Sequence, residues 1–129
     1  MDYRELYQKA AAVLPNAFVP FSNYRVGAAL LTKSGEVFTG VNVENSSYGG
    51  AICAERTACV KAVSEGFHEF EAIAVAGESG EAAPCGICRQ FLYEFAPDLT
   101  VIFAVSTNAG IDSTSCFSKM QTFFVGRLR

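Results

Sequence analysis

Cys53-Ala54-Glu55-Arg56-Thr57-Ala58-Cys59-Val60-Lys61-Ala62-Val63-Ser64 reads as a helix closed by Gly66, and segments that read as strands flank it on both sides. Upstream, the apolar run Val26 to Leu31, the turn Lys33-Ser34-Gly35-Glu36 and the run Val37 to Val43 predict an antiparallel hairpin. Downstream, Ala72 to Ala76 predicts a third strand and Val101 to Val105 a fourth. Between them Pro84 opens a second helix over Cys85 to Phe95, with Pro97 beyond it. Near the start, Leu6, Tyr7, Ala10, Ala11 and Leu14 fall at helical spacing, so Tyr3 to Leu14 predicts a helix ended by Pro15. Thr122-Phe123-Phe124-Val125 suits either a strand or packed loop. A helix, a hairpin and then alternating helices and strands imply an α/β domain whose helices cover a mixed sheet. Helix-joined strands should run parallel and the hairpin pair antiparallel. The 129 residues fit a single domain spanning 1–129.

The composition is 50% hydrophobic and 18% charged, where about 25% charged is typical, so the chain can bury a core and is not disordered. So few charges on a small body point to subunit interfaces that hide surface. A net charge of −3 without a basic patch argues against a nucleic acid polymer as partner. Met1-Asp2-Tyr3-Arg4-Glu5 is acidic with no apolar run behind it, so it does not read as a secretory signal. No apolar run approaches the ~20 residues of a membrane span. The chain therefore reads as cytoplasmic. Its five cysteines are Cys53, Cys59, Cys85, Cys88 and Cys116. An odd number without an export signal points away from disulfides and towards metal ligands or nucleophiles.

Three of these cysteines fall at helix starts. Cys53 opens the first helix, and Cys85 and Cys88, three apart on one face, occupy the first turn of the other. If the two helix starts face each other, three thiolates can hold one metal, and the positive helix ends favour the thiolate form. Zinc suits such soft ligands, and three protein ligands with one open position is its catalytic pattern. The open position holds water, whose pKa zinc lowers towards about 7. Glu55 lies two residues after Cys53, off its helix face, and can exchange a proton with that water rather than chelate the metal. Three thiolates leave the site one negative charge in excess. Arg56 or Arg89 could offset it by donating to a sulfur, and Arg56 is the favoured one. The Cys85-x-x-Cys88 pair taken alone is most often a structural zinc half-site or a redox dithiol.

At these residues the chain resembles the cytidine deaminase family, and within it the small homotetrameric nucleoside deaminases. The matching segments are Phe21-Ser22-Asn23-Tyr24, Val26-Gly27-Ala28-Ala29, Gly40-Val41-Asn42-Val43-Glu44-Asn45, Cys53-Ala54-Glu55-Arg56-Thr57-Ala58 and Pro84-Cys85-Gly86-Ile87-Cys88-Arg89-Gln90, within a likeness running from about Tyr3 to Thr107. The resemblance implies a three-layer fold with a mixed five-stranded sheet, one zinc ion per chain on Cys53, Cys85 and Cys88, and Glu55 as proton shuttle. It implies that Asn42 and Glu44 hold the sugar hydroxyls, that the Ala54 backbone contacts the pyrimidine, and that Tyr24 replaces a Phe packed on the nucleoside. Tyr48 would lie near a neighbouring subunit's site in a homotetramer. The implied reaction is hydrolytic deamination of cytidine and 2'-deoxycytidine to uridine and 2'-deoxyuridine with loss of ammonia, a step of pyrimidine salvage.

The chain departs from the family's pattern at its C-terminal end. There the family usually carries Leu-Leu-Pro and then a Phe that reaches a neighbour's site; here Met120-Gln121-Thr122-Phe123-Phe124 stands instead, with Phe124 as the counterpart. His68 reads as a surface residue, and Cys59 and Cys116 as packed thiols. Three other functions remain in view: deamination of a cytosine-bearing antibiotic of the blasticidin type, a structural zinc module without catalysis, and a thiol redox protein using Cys85 and Cys88.

Overall fold

A computed structural model of the chain describes residues 1–80, 82–107, 110–112 and 117–119. Helix α1 (Tyr3–Ala12) begins at Asp2, whose carboxylate accepts the Arg4 amide at 3.0 Å and so satisfies one orphan donor of the first turn. It stops two residues short of the expected Leu14, because Pro15 cannot continue an α-helix, and Leu14–Asn16 forms a single 3-10 turn. Strands β1 (Val26–Thr32) and β2 (Val37–Val41) form the expected antiparallel hairpin, closed by a turn in which Gly35 takes φ +99°. The second strand ends at Val41 rather than Val43, since Asn42 turns its amide onto the backbone of residues 24 and 26.

Helix α2 (Ala54–Ser64), strand β3 (Phe70–Gly77), helix α3 (Gly86–Phe95) and strand β4 (Thr100–Phe103) follow. Each helix starts one residue after the expected cysteine, because Cys53 and Cys85 keep extended backbone and serve as N-caps. Beyond β4, the expected run to Val105 divides. Val105–Thr107 (β5) leaves to pair with Gly110–Asp112 (β6), and Phe117–Lys119 (β7) pairs antiparallel with β4.

The sheet order is β2-β1-β3-β4-β7. Across residues 26–103 the sheet has four strands, and the implied fifth is reached only by the three-residue β7 at the edge. β3 and β4, joined by α3, run parallel as neighbours, whereas β1 is antiparallel to both β2 and β3. The central strands are buried on both faces, which accounts for their unbroken apolar runs. Alternate residues divide two cores. Ala29, Leu31, Ala72, Ala74, Ala76 and Ile102 meet Leu6 and Ala10 of α1. Ala28, Leu30, Ile73, Val101 and Phe103 meet Ala54, Ala58, Ala62 and Leu92 of α2 and α3. The result is three layers, helix on sheet on helices.

Two glycines let the outer layers approach. A methyl group on Gly27 would run into the Ala10 carbonyl of α1, and one on Gly40 would lie 2.5 Å from the Ala54 carbonyl oxygen of α2. This topology also fixes where chemistry can occur. Because β2 and β3 point the same way, α2 and α3 both begin at the same edge of the sheet, on the same face. Such an edge, beyond the carboxyl ends of strands, is where α/β folds bind ligands.

Candidate functional site

At that edge the sulfurs of Cys53, Cys85 and Cys88 converge within 4.8 Å of one another. Cys53 Sγ and Cys85 Sγ are 3.7 Å apart. Thiolates about 2.3 Å from a tetrahedral zinc lie about 3.8 Å from each other, so spacing and donor type both fit that ion. Cys85 Sγ also accepts the Cys88 amide at 3.5 Å, capping α3 with a sulfur that the helix end holds in place. The Arg56 Nη2 donates to Cys53 Sγ at 3.5 Å, while its Nε is buried and has no partner among the described residues. Arg89 Nε donates to the Pro84 carbonyl at 2.9 Å, bracing the entry to α3. Of the two candidate cations, Arg56 is the one whose donor reaches Cys53.

The electrostatics follow from these contacts. The Cys88 thiol and the Arg56 guanidinium both donate to Cys53 and hold its pKa down at about 5. The same bond to Cys53, with burial, pushes the Cys88 thiol up, so the negative charge of the pair rests on Cys53. Glu55 follows within the first turn of α2 and is only 3% exposed. Burial, with the nearby Cys53 charge, raises its carboxyl to about 7, a value suited to carrying a proton back and forth near neutrality. Ala54, fully buried between them, presents its backbone at the helix start.

The other expected residues lie on the loops beside this centre. Asn42 donates from Nδ2 to the Tyr24 carbonyl and accepts the Val26 amide at Oδ1, both at 2.9 Å. Glu44 accepts the amides of Phe21 and Ser22 at 3.0 and 3.1 Å, and a bond from the Ser22 hydroxyl, followed by these amides, holds its pKa below the usual carboxylate value. Asn23, the residue after Ser22, takes φ +57°, a left-handed conformation that Asn tolerates better than most residues. The Tyr24 hydroxyl meets the Ser79 hydroxyl at 2.8 Å. Tyr48 is 95% exposed, while Phe124 and Cys116 lie outside the described residues. Cys59 is fully buried in the core, and His68 is exposed.

The family model for the cytidine and deoxycytidylate deaminase zinc-binding region matches residues 1–104. The chain belongs to this deaminase family. A protein described as "Probable cytidine deaminase" from Dictyostelium discoideum is 60% identical over 81 residues, which cover 61% of this chain and 55% of that protein. The cytidine deaminase of Sporosarcina psychrophila is 40% identical over 116 residues, 89% of this chain and 85% of its own length. Among solved structures, the cytidine deaminase from Burkholderia pseudomallei superposes with a TM-score of 0.81 at 42% identity, covering 95% of each chain. A blasticidin-S deaminase from Bacillus cereus is more distant, 33% identical over 94 residues. The zinc-binding region of the deaminase family thus spans all three cysteines, and the Cys53, Cys85 and Cys88 group fits a zinc site.

Two features of this deaminase site escape a reading by sequence. One is the use of Asn42 and Glu44 to hold the loop at residues 21–26. The other is the cross-loop pair Arg25 and Glu78, with Arg25 Nη1 donating to Glu78 Oε1 at 3.1 Å. Opposite charges just outside two strands are a usable signal only once the register between those strands is known.

Proposed function

We propose that the chain is a zinc-dependent hydrolase converting cytidine and 2'-deoxycytidine to uridine and 2'-deoxyuridine with release of ammonia. The observation that carries this reading is the meeting of three cysteine sulfurs with a buried glutamate at one sheet edge. Cys53, Cys85 and Cys88 would hold the zinc. When bound, zinc supplies a nucleophile at neutral pH by acidifying a coordinated water. Glu55 accepts a proton from the attacking water and gives it to N3 of the pyrimidine, then takes the second proton from the hydroxyl now on C4 and delivers it to the departing amine. Water thereby replaces the amino group, and ammonia leaves. Arg56 offsets the negative charge of the sulfurs through Cys53. Asn42 and Glu44 take the sugar hydroxyls, Tyr24 packs on the nucleoside, and the Ala54 backbone contacts the base. Tyr48 and Phe124 serve a neighbouring subunit's site within a homotetramer. The protein works in the cytoplasm on a free nucleoside; among the described residues no helix is long and apolar enough to cross a membrane.

The test is turnover of cytidine by purified protein, followed by loss of cytosine absorbance and release of ammonia, with bound zinc measured on the same sample. Glu55→Gln should keep the metal and lose at least about a hundredfold in turnover, as expected for a general acid–base group. Zinc without turnover of cytidine would refute the proposal. Two further arms then decide what replaces it. Turnover of blasticidin S would indicate an antibiotic deaminase, and no turnover of either a structural zinc module.

A further inference from the structure

Strands β1 and β3 end where Val26 faces Gly77, but their antiparallel register runs on outside the strands. Arg25 falls opposite Glu78, whose amide donates to the Arg25 carbonyl at 2.9 Å. The return bond from the Arg25 amide goes to the Glu78 carboxylate at 3.1 Å. One step further, Tyr24 falls opposite Ser79, and there the two hydroxyls meet at 2.8 Å. Gly80, at φ +95°, closes this turn by donating to the Gly77 carbonyl at 2.8 Å. Its own carbonyl accepts the Tyr7 hydroxyl of α1 at 3.3 Å. On the other side Asn42 holds the Tyr24 carbonyl and the Val26 amide. The loop that carries Tyr24 is therefore held between Asn42 and the turn at residues 77–80, and that turn leads on through Pro84 to Cys85.

We propose that Ser79 is a positioning residue for the nucleoside subsite, acting through the hydroxyl of Tyr24. The bond fixes the tyrosine ring and couples its loop to the segment that delivers Cys85 and Cys88. A phenylalanine at position 24 could pack on a substrate but could not make this tie. The inference rests on the proposed nucleoside reading, in which Tyr24 faces substrate and Ser79 does not. Holding a loop side chain in place before binding removes part of the ordering cost of association. A hydrogen bond of ordinary net strength is worth roughly two- to tenfold in such an equilibrium.

The experiment compares Tyr24→Phe, Ser79→Ala, Ser79→Thr and the Tyr24→Phe/Ser79→Ala double variant in the full zinc-loaded chain. Each of the first two should raise KM for cytidine by roughly two- to tenfold, with less effect on kcat. The double variant should do no more than the larger single change, because both remove the same bond. Ser79→Thr, which keeps a hydroxyl, should hold KM near that of the parent chain. Amide hydrogen exchange of residues 76–80 should quicken in both single variants. A KM that rises in Tyr24→Phe alone, with parent-like exchange in Ser79→Ala, would overturn the proposal and assign the hydroxyl to the nucleoside directly. Additive losses would overturn it as well. If the parent chain does not act on cytidine, the proposed activity fails on that measurement, whereas the clasp stands or falls on the exchange rates.

Discussion

Arg56 bears on a charge problem that any three-thiolate zinc site must solve. A dication with three thiolates carries one net negative charge, which weakens its pull on a water proton. The Arg56 guanidinium donates to Cys53 Sγ at 3.5 Å, so part of that charge is drawn off the sulfur. Arg56→Gln removes the positive charge, and its amide ends two bonds short of the Nη2 that donates to Cys53. Zinc affinity, read by competition with a chelator, should fall about 10- to 100-fold, the usual loss when a ligand's supporting partner is removed. An unchanged affinity and unchanged turnover would refute charge compensation by this residue. Cys59 contrasts with the site cysteines. It is fully buried, and burial pushes its thiol up to about 11. In protein stripped of zinc, an alkylating reagent at pH 8 should modify exposed Cys85 and leave Cys59 untouched until the chain unfolds. Mass spectrometry of the two peptides checks this, and equal rates would contradict the buried placement.

Helix placement decides whether these residues meet. Gly40 lets α2 lie against β2, with space so tight that an added Cβ would fall 2.5 Å from the Ala54 carbonyl oxygen. Ala54 is the first residue of α2, next to Cys53 and Glu55. Gly40→Ala should therefore cost about 1–3 kcal/mol in stability as an overpacked contact and also weaken zinc binding, because the helix start is what moves. Gly27→Ala strains the opposite layer, where α1 meets β1 at Ala10. It should lower stability comparably while leaving zinc affinity near its parent value. Denaturant unfolding and a zinc titration on both variants separate the two, and equal effects on zinc would show that α1 and α2 do not act independently. At this scale the sequence was largely legible, because apolar periods of 2 and 3.6 locate these strands and helices and the cysteines mark two helix starts. It was not legible where a side chain serves a distant backbone. Asn42 ends β2 early by bonding residues 24 and 26, and no local pattern around Val41 announces that. The hairpin of β5 and β6 escaped because each strand is only three residues long.

At the scale of the whole molecule, the low charge fraction and the outward-facing apolar side chains bear on assembly. Phe18, Phe21, Tyr48 and Ile87 are each more than half exposed. Phe18, Phe21 and Ile87 belong to segments that border the site, and Tyr48 opens the 3-10 turn that precedes Cys53 in the chain. The Phe18 amide donates to the Asn42 carbonyl, and the Glu44 amide to the Phe18 carbonyl. The Phe21 amide donates to the Glu44 carboxylate, and Ile87 lies between Cys85 and Cys88 in the first turn of α3. Large apolar side chains left in water beside a site, on a chain with only 18% charged residues, are what subunit contact would bury. Under the proposed function that contact forms a homotetramer in which Tyr48 serves a neighbouring site. Light scattering on the native protein should then give a mass near four times 13.8 kDa. Tyr48→Asp places a charge where the contact would be dry, so it should lower the assembled mass and reduce turnover while the zinc content per chain stays at one. Tyr48, on the 3-10 turn at residues 48–50, takes part in none of the sulfur bonds described, which separates this effect from direct loss of a zinc ligand. A native mass equal to one chain, with full cytidine turnover, would overturn the assembly and the shared-site role of Tyr48 together.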